Sequence, residues 1–495
     1  MTTYTEYLKE RRDLEWRSEL RKTLKGKERT DIPRVKMPEV EPEERIKYQN
    51  VEVNTGLTEE QAVKEAARCM DCVNPTCIEG CPVQINIPEF VKNIERQNFG
   101  EAAATLKLTS ALPAVCGRVC PQEKQCEEKC FFKVKLQKEP VAIGYLERFA
   151  ADWERESGAI STPTCAPKNG KKVASIGSGP SSLSFAGDMI KLGYDVTVFE
   201  ALHEIGGVLK YGIPEFRLPN SVVDVELENL RKMGVQFETN FIVGRTASFD
   251  QLKEDGYKAF FVGSGAGLPR FMNIPGENFN GILSSNEYLT RVNLMTANSD
   301  QFDTPVLHGK NVAVIGGGNT AMDSVRTAKR LGAKRAMIVY RRSRVEMPAR
   351  VEEVKHAEEE GIEFKNLTNP IEYFADETGR VNKMRLQLME LGEPDASGRR
   401  SPVEIPGATE DIDVDLVIVA VGVSPNPLIP SCLSDLKMSR WRTIEVNENM
   451  QSSIPEIFAG GDIVRGGATV ILAMGDGRKA AQSMHEYLSD EGKND

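Results

Sequence analysis

The stretch KVASIGSGPSSLSFAGDMIKLGYDVTVFEA, residues 172–201, decides the fold class of the larger part of the chain. An apolar strand, a glycine turn, a helix and a second strand ending at Glu200 follow one another, which is the order of a βαβ unit. Gly177 allows the tight turn, and Gly179 lets a pyrophosphate approach the backbone at the helix N-terminus. The carboxylate of Glu200 can accept hydrogen bonds from a ribose. The stretch therefore predicts a Rossmann-like dinucleotide-binding domain.

A second unit of the same kind begins at KNVAVIGGGNTAMDSVRTAKRLGAKRAMIVYRR, residues 310–342. Its glycine loop runs from Gly316 to Gly318, and its second strand ends in Arg341 and Arg342, where an acidic residue would select NAD(H). A carboxylate there would repel a 2′-phosphate, whereas two guanidinium groups can hold one through bidentate hydrogen bonds. We therefore expect this site to prefer NADP(H).

A third glycine-rich patch, IFAGGDIVRGGATVILAMGDGRKAAQS, covers residues 457–483. Asp462 follows an apolar strand, at a point where it can bind a sugar-like chain such as ribityl. The segment 475–481 is predicted to open a helix whose N-terminus faces the edge of a flavin. Because the second βαβ unit is nested inside the domain of the first, the pattern indicates a flavoprotein with two dinucleotide-binding domains.

Eight of the ten cysteines lie between residues 69 and 130. The run CMDCVNPTCIEGCP (69–82) has the spacing C-x2-C-x4-C-x3-C-P, and the run at 116–130 has C-x3-C-P-x4-C-x3-C. In a large chain with no export signal, metal binding explains such runs better than disulfides. Structural zinc is one alternative, although none of the four histidines lies among these cysteines. Two runs of four with Cys-Pro resemble the arrangement of two-cluster ferredoxins.

The bulk composition excludes several function classes. The 495-residue chain has a formal net charge of −10, which argues against a general nucleic-acid binder. No apolar run approaches the ~20 residues that span a bilayer, and the N-terminus has no apolar signal-peptide core, so we expect a cytoplasmic protein. Residues 1–35 alternate charges and are expected to form a solvated arm. Residues 1–160 contain no convincing strand, and Thr58 is a predicted helix N-cap.

From about residue 37 onward, the chain resembles the glutamate synthase small (β) subunit family. The resemblance is strongest to the branch that contains the large subunit of NADH-dependent ferredoxin:NADP+ oxidoreductase. The stretches that carry it include CMDCVNPTCIEGCPV (69–83), LPAVCGRVCPQEKQCEEKC (112–130), GGVLKYGIPEFRLPN (206–220), IGGGNTAMD (315–323) and VYRRSRVEMPAR (339–350). The resemblance implies FAD, NADP(H) and two [4Fe–4S] clusters as cofactors.

The resemblance also implies which residues hold these groups. Cluster 1 is expected on Cys69, Cys72, Cys77 and Cys130, and cluster 2 on Cys81, Cys120, Cys126 and Glu147. Counting alone would instead choose Cys116 as the eighth ligand. The residues expected to bind FAD are Gly177, Gly179, Pro180, Ser181, Glu200, Gly207, Arg217, Gly265, Gly461, Asp462 and Thr469. Those expected to bind NADP(H) are Gly316, Gly317, Gly318, Asn319, Thr320, Arg341, Arg342 and Gly422.

We therefore expect an α/β protein with an N-terminal all-α iron–sulfur domain and two nested Rossmann-like domains. The expected divisions are an arm (1–35), a helical cluster domain (36–165), an FAD-binding domain in two parts (166–300 and 426–495) and an NADP(H)-binding domain (301–425). Hydride transfer would be carried by the cofactors, so no catalytic acid–base side chain is assigned.

The expected partner is a glutamate synthase large subunit, a [2Fe–2S] flavoprotein subunit or ferredoxin. The chain alone is not expected to make glutamate, because it shows neither an N-terminal cysteine nucleophile nor a barrel domain. Two alternatives stay open from the sequence. One is a stand-alone NADPH:acceptor oxidoreductase, and the other is a non-enzymatic iron–sulfur scaffold subunit.

Overall fold

The computed structural model describes residues 4–297 and 302–491, and up to residue 157 it is helical. The helices of this part are α1 (Tyr4–Arg12), α2 (Glu15–Thr23), α3 (Gly26–Asp31), α4 (Pro42–Arg45), α5 (Glu59–Ala66), α6 (Thr76–Glu79), α7 (Ile87–Glu95), α8 (Phe99–Lys107), α9 (Pro113–Val119), α10 (Phe131–Leu136) and α11 (Ile143–Ser157). Thr58 caps α5, because its Oγ1 accepts a 3.3 Å hydrogen bond from the Gln61 N–H. Among the described residues, no helix combines the length and the apolar character needed to cross a membrane.

The expectation of a solvated arm at residues 1–35 is wrong. Helices α1–α3 pack on the helical domain, and the Arg17 side chain is only 2% exposed. Arg17 and Arg21 both pair with the fully buried carboxylate of Asp71, which lies between two cysteines of the first run. The alternating charges of this segment therefore include charges that form specific ion pairs. The sequence pattern alone does not distinguish such paired charges from charges exposed to solvent.

The rest of the chain alternates strands and helices. The strands are β1 (Lys172–Ile176), β2 (Asp195–Phe199), β3 (Gln236–Glu238), β4 (Tyr257–Val262), β5 (Leu268–Pro269), β6 (Ile282–Ser284), β7 (Asn311–Ile315), β8 (Arg335–Tyr340), β9 (Glu363–Asn366), β10 (Thr368–Ala375), β11 (Val381–Pro394), β12 (Arg400–Asp413), β13 (Leu416–Val419), β14 (Val423–Ser424) and β15 (Ile457–Ala459).

The helices between these strands complete two α/β units. They are α12 (Pro180–Lys191), α13 (Val208–Tyr211), α14 (Asn220–Met233), α15 (Phe249–Glu254), α16 (Ser285–Leu289), α17 (Asn319–Arg330), α18 (Val351–Glu359), α19 (Leu428–Ser431), α20 (Asp462–Arg465) and α21 (Val470–Glu491). A π-helical turn at Thr290–Leu294 and 3₁₀ turns at Gln122–Lys124 and Arg344–Glu346 complete the set.

Two five-stranded parallel sheets confirm the predicted pair of dinucleotide folds. The first has the order β15-β4-β1-β2-β3, and the second has the order β6-β13-β7-β8-β9. Strand β6 (282–284) already belongs to the second sheet, so the second unit begins before the expected boundary at residue 301. The short antiparallel ribbon β14-β5 lies where the chain passes between the two units. A three-stranded antiparallel sheet, β10-β11-β12, is added to the second unit.

The apolar cores show how the parts are joined. One core runs without interruption from the helical domain, through Phe90 and Val115, to Phe185 and Met474 of the first α/β unit. The second unit has its own cores on the two faces of its sheet. The helical domain and the first unit therefore share one apolar core. The second unit does not belong to that core.

Candidate cofactor sites

The four cysteines expected to hold cluster 1 line a single cavity. Cys69 and Cys72 come from the loop before α6, Cys77 lies in α6, and Cys130 precedes α10. Apolar side chains, including Ile87, Val91 and Phe131, line the rest of the cavity wall. Burial raises the pKa of the Cys69 thiol to about 12. Thiols held neutral in this way ionise when a metal supplies the compensating positive charge.

The donor set and the spacing of the sulfur atoms bear on whether the cavity would hold a single zinc ion or an iron–sulfur cluster. Around a tetrahedral zinc ion with Zn–S bonds of about 2.3 Å, the four sulfurs lie within about 4 Å of one another. In the described part of the chain, no three cysteine sulfurs lie within 4.8 Å of one another. Sulfurs at this spacing, in a donor set made only of thiols, fit an iron–sulfur cluster.

The residues expected to hold cluster 2 also lie together. Burial and the neighbouring charges of Glu127, Cys81 and Glu147 raise the pKa of the Cys126 thiol. Burial, with a further contribution from Glu226, raises the pKa of Glu147 to about 8. Oε1 of Glu147 is buried and has no hydrogen-bond partner within the described residues. An unpaired buried carboxylate is costly, and coordination to iron would satisfy it.

Cys116 lies next to the residues expected to hold cluster 2, since its thiol is hydrogen-bonded with Cys120, and it also has contacts of its own. Its thiol is fully buried and lies 3.5 Å from Sδ of Met474, on the C-terminal helix α21. Its backbone carbonyl accepts a 3.2 Å hydrogen bond from Nε2 of Gln122. The assignment of Glu147 rather than Cys116 as the eighth ligand remains a prediction.

The first glycine loop has the geometry of a phosphate cradle. Gly177 has φ +93°, and a Cβ there would lie 2.7 Å from the Gly263 carbonyl oxygen. At Gly179 the space that a Cβ would occupy is open, immediately before Pro180 begins α12. This opening at the positive end of a 12-residue helix is where a pyrophosphate can approach.

Glu200 directly follows β2, which ends at Phe199, and is fixed by three hydrogen bonds. Its Oε2 accepts from the Ser178 N–H at 2.9 Å and from the Ser178 hydroxyl at 2.5 Å. Its Oε1 accepts from the Leu202 N–H at 2.8 Å and keeps a lone pair for a ribose hydroxyl. The Gly207 backbone packs closely on this loop, because a Cβ there would lie 2.9 Å from the Gly179 Cα.

The third glycine patch meets the first loop. Gly461 has φ +78°, and a Cβ there would lie 2.8 Å from the Ser181 hydroxyl. Asp462 begins α20, and its Oδ1 accepts a 2.9 Å hydrogen bond from the Ala468 N–H. Thr469 immediately precedes α21, and Gly265 has open space at its Cβ position. Gly461 thus brings the C-terminal part of the first unit against Ser181, at the first glycine loop.

One prediction about the first unit does not hold in the form given, and the position of Arg217 adds a second contact for that residue. The segment 475–481 does not open a helix, because α21 begins at Val470 and continues through it. Arg217 faces the second unit, where its Nη1 lies 3.0 Å from Oδ2 of Asp323 and its Nε lies 3.2 Å from Oε1 of Glu353. In this arrangement the Arg217 guanidinium joins the two units, so a direct role in holding FAD stays a prediction.

The second glycine loop repeats the cradle. Gly316 has φ +137°, and a Cβ there would lie 2.4 Å from the Ala420 carbonyl oxygen. The space at Gly318 and Gly422 is open, and Asn319 and Thr320 form the first turn of α17. A Cβ at Gly317 would lie 2.8 Å from the Tyr340 ring, which closes one side of the loop.

The two arginines after β8 are not equivalent. Arg341 is exposed, whereas Arg342 is buried and donates to the Arg400 carbonyl oxygen at 2.8 Å and to Oδ2 of Asp395 at 2.7 Å. The tip of the β11–β12 hairpin therefore occupies the Arg342 guanidinium. Arg341 is the one of the pair whose guanidinium is available to a 2′-phosphate.

Sequence reasoning missed Arg350, which joins the second unit to the cluster domain. Its Nη1 donates to the Arg118 carbonyl oxygen at 2.6 Å, and its Nη2 donates to Oε1 of Gln122 at 2.8 Å. Its backbone N–H donates to Oδ1 of Asn319 at 2.8 Å. No signal in the sequence shows the contacts with the cluster domain, because they join residues more than 200 positions apart.

Comparison with known proteins finds the same two kinds of domain. Residues 45–159 match the family model of dihydropyrimidine dehydrogenase domain II, 4Fe-4S cluster, and residues 171–477 match that of pyridine nucleotide-disulphide oxidoreductases. The chain is 36% identical over 459 residues to the glutamate synthase [NADPH] small chain of Azospirillum brasilense, covering 91% of this chain and 94% of that protein. It is 34% identical over 452 residues to the NADPH-Fe(3+) oxidoreductase subunit beta of Geobacter sulfurreducens, covering 86% of this chain and 65% of that protein.

A solved structure shares the fold of the two α/β units. FprA of Mycobacterium tuberculosis in complex with NADPH aligns with a TM-score of 0.56 at 21% identity, over 66% of this chain and 86% of that chain. The predicted fold class and the predicted family resemblance are both confirmed. This chain belongs to the glutamate synthase small-chain family and is an iron–sulfur flavoprotein oxidoreductase.

Proposed function

We propose that this chain passes electrons between NADP(H), FAD and two [4Fe–4S] clusters, and through the clusters to or from a partner subunit or ferredoxin. One observation carries the proposal. Four buried or half-buried cysteines surround one cavity, in a domain whose apolar core continues into the first dinucleotide unit. An iron site and a flavin site built on one continuous core suit electron transfer between them.

The residues of the first unit would bind and orient FAD. The loop from Gly177 to Gly179 and the N-terminus of α12 would hold the pyrophosphate, with Glu200 on the ribose. Asp462 and Thr469 come from the end of the chain and approach the same site through Gly461, which packs on Ser181. This arrangement makes the flavin site depend on both ends of the first unit.

The residues of the second unit would bind NADP(H). The loop from Gly316 to Gly318 and the N-terminus of α17 would hold the pyrophosphate, and Arg341 would hold the 2′-phosphate. When bound, FAD accepts a hydride as two electrons and each cluster accepts one, so two clusters match one NADPH. The side chains bind, orient and exclude water, and none has to donate or accept a proton.

The partner is proposed to be a separate subunit. The relatives are named as a small chain and as a subunit beta, which supports an assembly with a further chain. A glutamate synthase large subunit and a [2Fe–2S] flavoprotein subunit are the two candidates, and a stand-alone NADPH:acceptor oxidoreductase is the alternative. Purification of the native complex, followed by identification of the co-purifying chain, separates these three. We propose a cytoplasmic location.

The experiment that tests the function uses the protein purified without oxygen. We expect about eight irons per FAD, and bleaching of the flavin absorbance by NADPH more than by NADH. Zinc in place of iron, or the absence of flavin, would overturn the proposal. A protein that holds both groups but does not bleach with NADPH would be a scaffold subunit instead.

A further inference from the structure

The first half of α21 lies between the flavin loop and the cluster-2 loop, and two glycines allow it to do so. A Cβ at Gly477 would lie 2.0 Å from the Ser181 carbonyl oxygen, in the helix that begins at the flavin loop. A Cβ at Gly475 would lie 3.0 Å from the Pro82 carbonyl oxygen and 3.1 Å from the Pro82 Cβ, directly after Cys81. The same helix is therefore in close contact with both sites.

Met474, next to these glycines, makes the second contact with the cluster-2 region. Its side chain is fully buried, and its Sδ lies 3.5 Å from the Cys116 Sγ. Cys116 belongs to α9, which leads directly into Cys120. Contacts from two neighbouring residues of α21 thus reach the two chain segments that supply Cys81 and Cys120.

Helix propensity alone does not explain the two glycines. A glycine inside a helix costs about 1 kcal/mol relative to alanine, so two glycines in three residues weaken this helix. Close approach to backbone on two sides is what a side chain would prevent. The two glycines therefore lower the stability of α21 at the point where this helix contacts both sites.

We propose that Met474 and Gly475 are positioning residues that set the separation between the flavin site and the cluster-2 site. The inference rests on the proposed function. One NADPH would deliver two electrons with its hydride, and these would leave the flavin one at a time across this contact. The cluster-2 site would pass the first electron on to the cluster-1 site before it takes the second, so that each site ends with one electron. The transfer rate falls steeply with separation, so a larger side chain at position 475 slows it.

The test is a size series at position 475 in the anaerobic holoprotein. The variants Gly475→Ala and Gly475→Leu are mixed rapidly with NADPH. Flavin bleaching is followed by absorbance, and cluster reduction is followed by freeze-quench EPR. We expect bleaching within about twofold of wild type in both variants. Cluster reduction slows modestly in the alanine variant and severalfold in the leucine variant, because the larger side chain moves α21 further from the Pro82 backbone.

Two further variants keep the test decisive if the leucine variant does not fold. Met474→Ala removes the other contact and should also slow cluster reduction without slowing bleaching. Gly187→Ala is the matched control, because it is a helix glycine whose Cβ would meet Ala111 of the helical domain at 3.1 Å, away from position 475. We expect the control to reduce its clusters at the wild-type rate.

The outcomes separate this inference from the proposed function. Wild-type protein that does not reduce its clusters with NADPH contradicts the function itself. If the wild type does so, and Gly475→Ala and Met474→Ala keep full iron and flavin and reduce their clusters as fast as wild type, the positioning role is overturned. Equal slowing in the Gly187→Ala control also overturns it, because the effect would then not be specific to this contact.

Discussion

At the scale of single residues, Glu147 is the unusual member of the group of residues expected to hold cluster 2. Glu147 has a buried oxygen without a partner among the described residues, whereas the neighbouring Cys116 contacts Met474 and is fully enclosed. A buried polar atom without a hydrogen bond costs about 1–3 kcal/mol, so its presence requires an explanation. The predicted ligation of an iron atom by Glu147 would supply that explanation.

We expect Glu147→Ala to lose the second cluster, so that the iron content falls from about eight to about four per FAD. Cys116→Ser is the paired variant and should keep about eight irons, because it is not expected to ligate iron. Iron analysis and EPR of the reduced protein measure both. The reverse pattern would assign the ligand to Cys116.

The nucleotide preference is also decided by single residues. We expect Arg341→Met to lower kcat/KM for NADPH about 10- to 100-fold, because it removes charge-assisted hydrogen bonds worth about 1.5–3 kcal/mol. Activity with NADH should not change. Arg342→Met is the comparison variant, and its effect should be smaller because Asp395 already holds that guanidinium. An equal loss with both nucleotides would contradict this assignment.

At the scale of elements, helices α1–α3 hold the first cysteine run in place. Asp71 has φ +50° and a fully buried carboxylate that pairs with Arg17 and Arg21 of α2. Helix α1 is held by a similar ion pair, in which Arg11 pairs with the buried carboxylate of Glu89. These helices therefore cover the loop that supplies Cys69 and Cys72.

We expect Asp71→Asn to loosen α1–α3, since asparagine tolerates the positive φ but leaves Arg17 buried without a counter-charge. Breaking a buried pair in this way costs about 3–5 kcal/mol. Hydrogen exchange of residues 4–31 should accelerate strongly in the variant. Asp13→Asn is the control, because its pair with Arg12 is exposed and should contribute little. Unchanged exchange in Asp71→Asn would show that the pair does not hold the helices.

The elements also show how far the sequence could be interpreted. Local patterns predicted both βαβ units and the Thr58 cap, because hydrophobic period, glycine turns and capping residues act over a few positions. The roles of Arg17, Arg217 and Arg342 depend on partners more than 50 residues away. The start of α21 was misplaced because the GDG segment looks like a loop, whereas its glycines serve close packing inside a helix.

At the scale of the whole molecule, the two α/β units are held in different ways. The first shares an apolar core with the cluster domain, whereas the second is joined largely through buried ion pairs. Glu353 lies between Arg217 of the first unit and Arg326 of the second. Burial alone would raise the pKa of Glu353, but these two guanidiniums, together with His356 and Arg350, outweigh it and lower the pKa to about 2.

A lowered pKa makes this junction sensitive to acid. The stabilisation from ionised Glu353 is fully present above the unfolded pKa of about 4.3, and it is lost as the pH falls towards the folded pKa of about 2. We expect Glu353→Gln to lower the melting temperature at pH 7, with a difference from wild type that narrows as the pH falls from about 4.5 towards 2. Calorimetry of both proteins across this range measures the difference.

The control for this experiment is Glu410→Gln, whose partner Lys365 is partly exposed, so that the pair contributes little. Its melting temperature should follow that of wild type at every pH. A Glu353→Gln difference that stays constant from pH 7 to pH 3 would show that the charge of Glu353 does not stabilise the junction.

Nesting of the second unit inside the first has a consequence for biosynthesis. Strand β15 and helix α21, which complete the first unit, leave the ribosome only after the whole second unit has been made. Every cysteine of the two runs has emerged some 300 residues earlier, and domains nearest the N-terminus generally fold first. The cysteines are therefore synthesised well before the flavin pocket can close, because that pocket needs the last strand and the last helix of the chain.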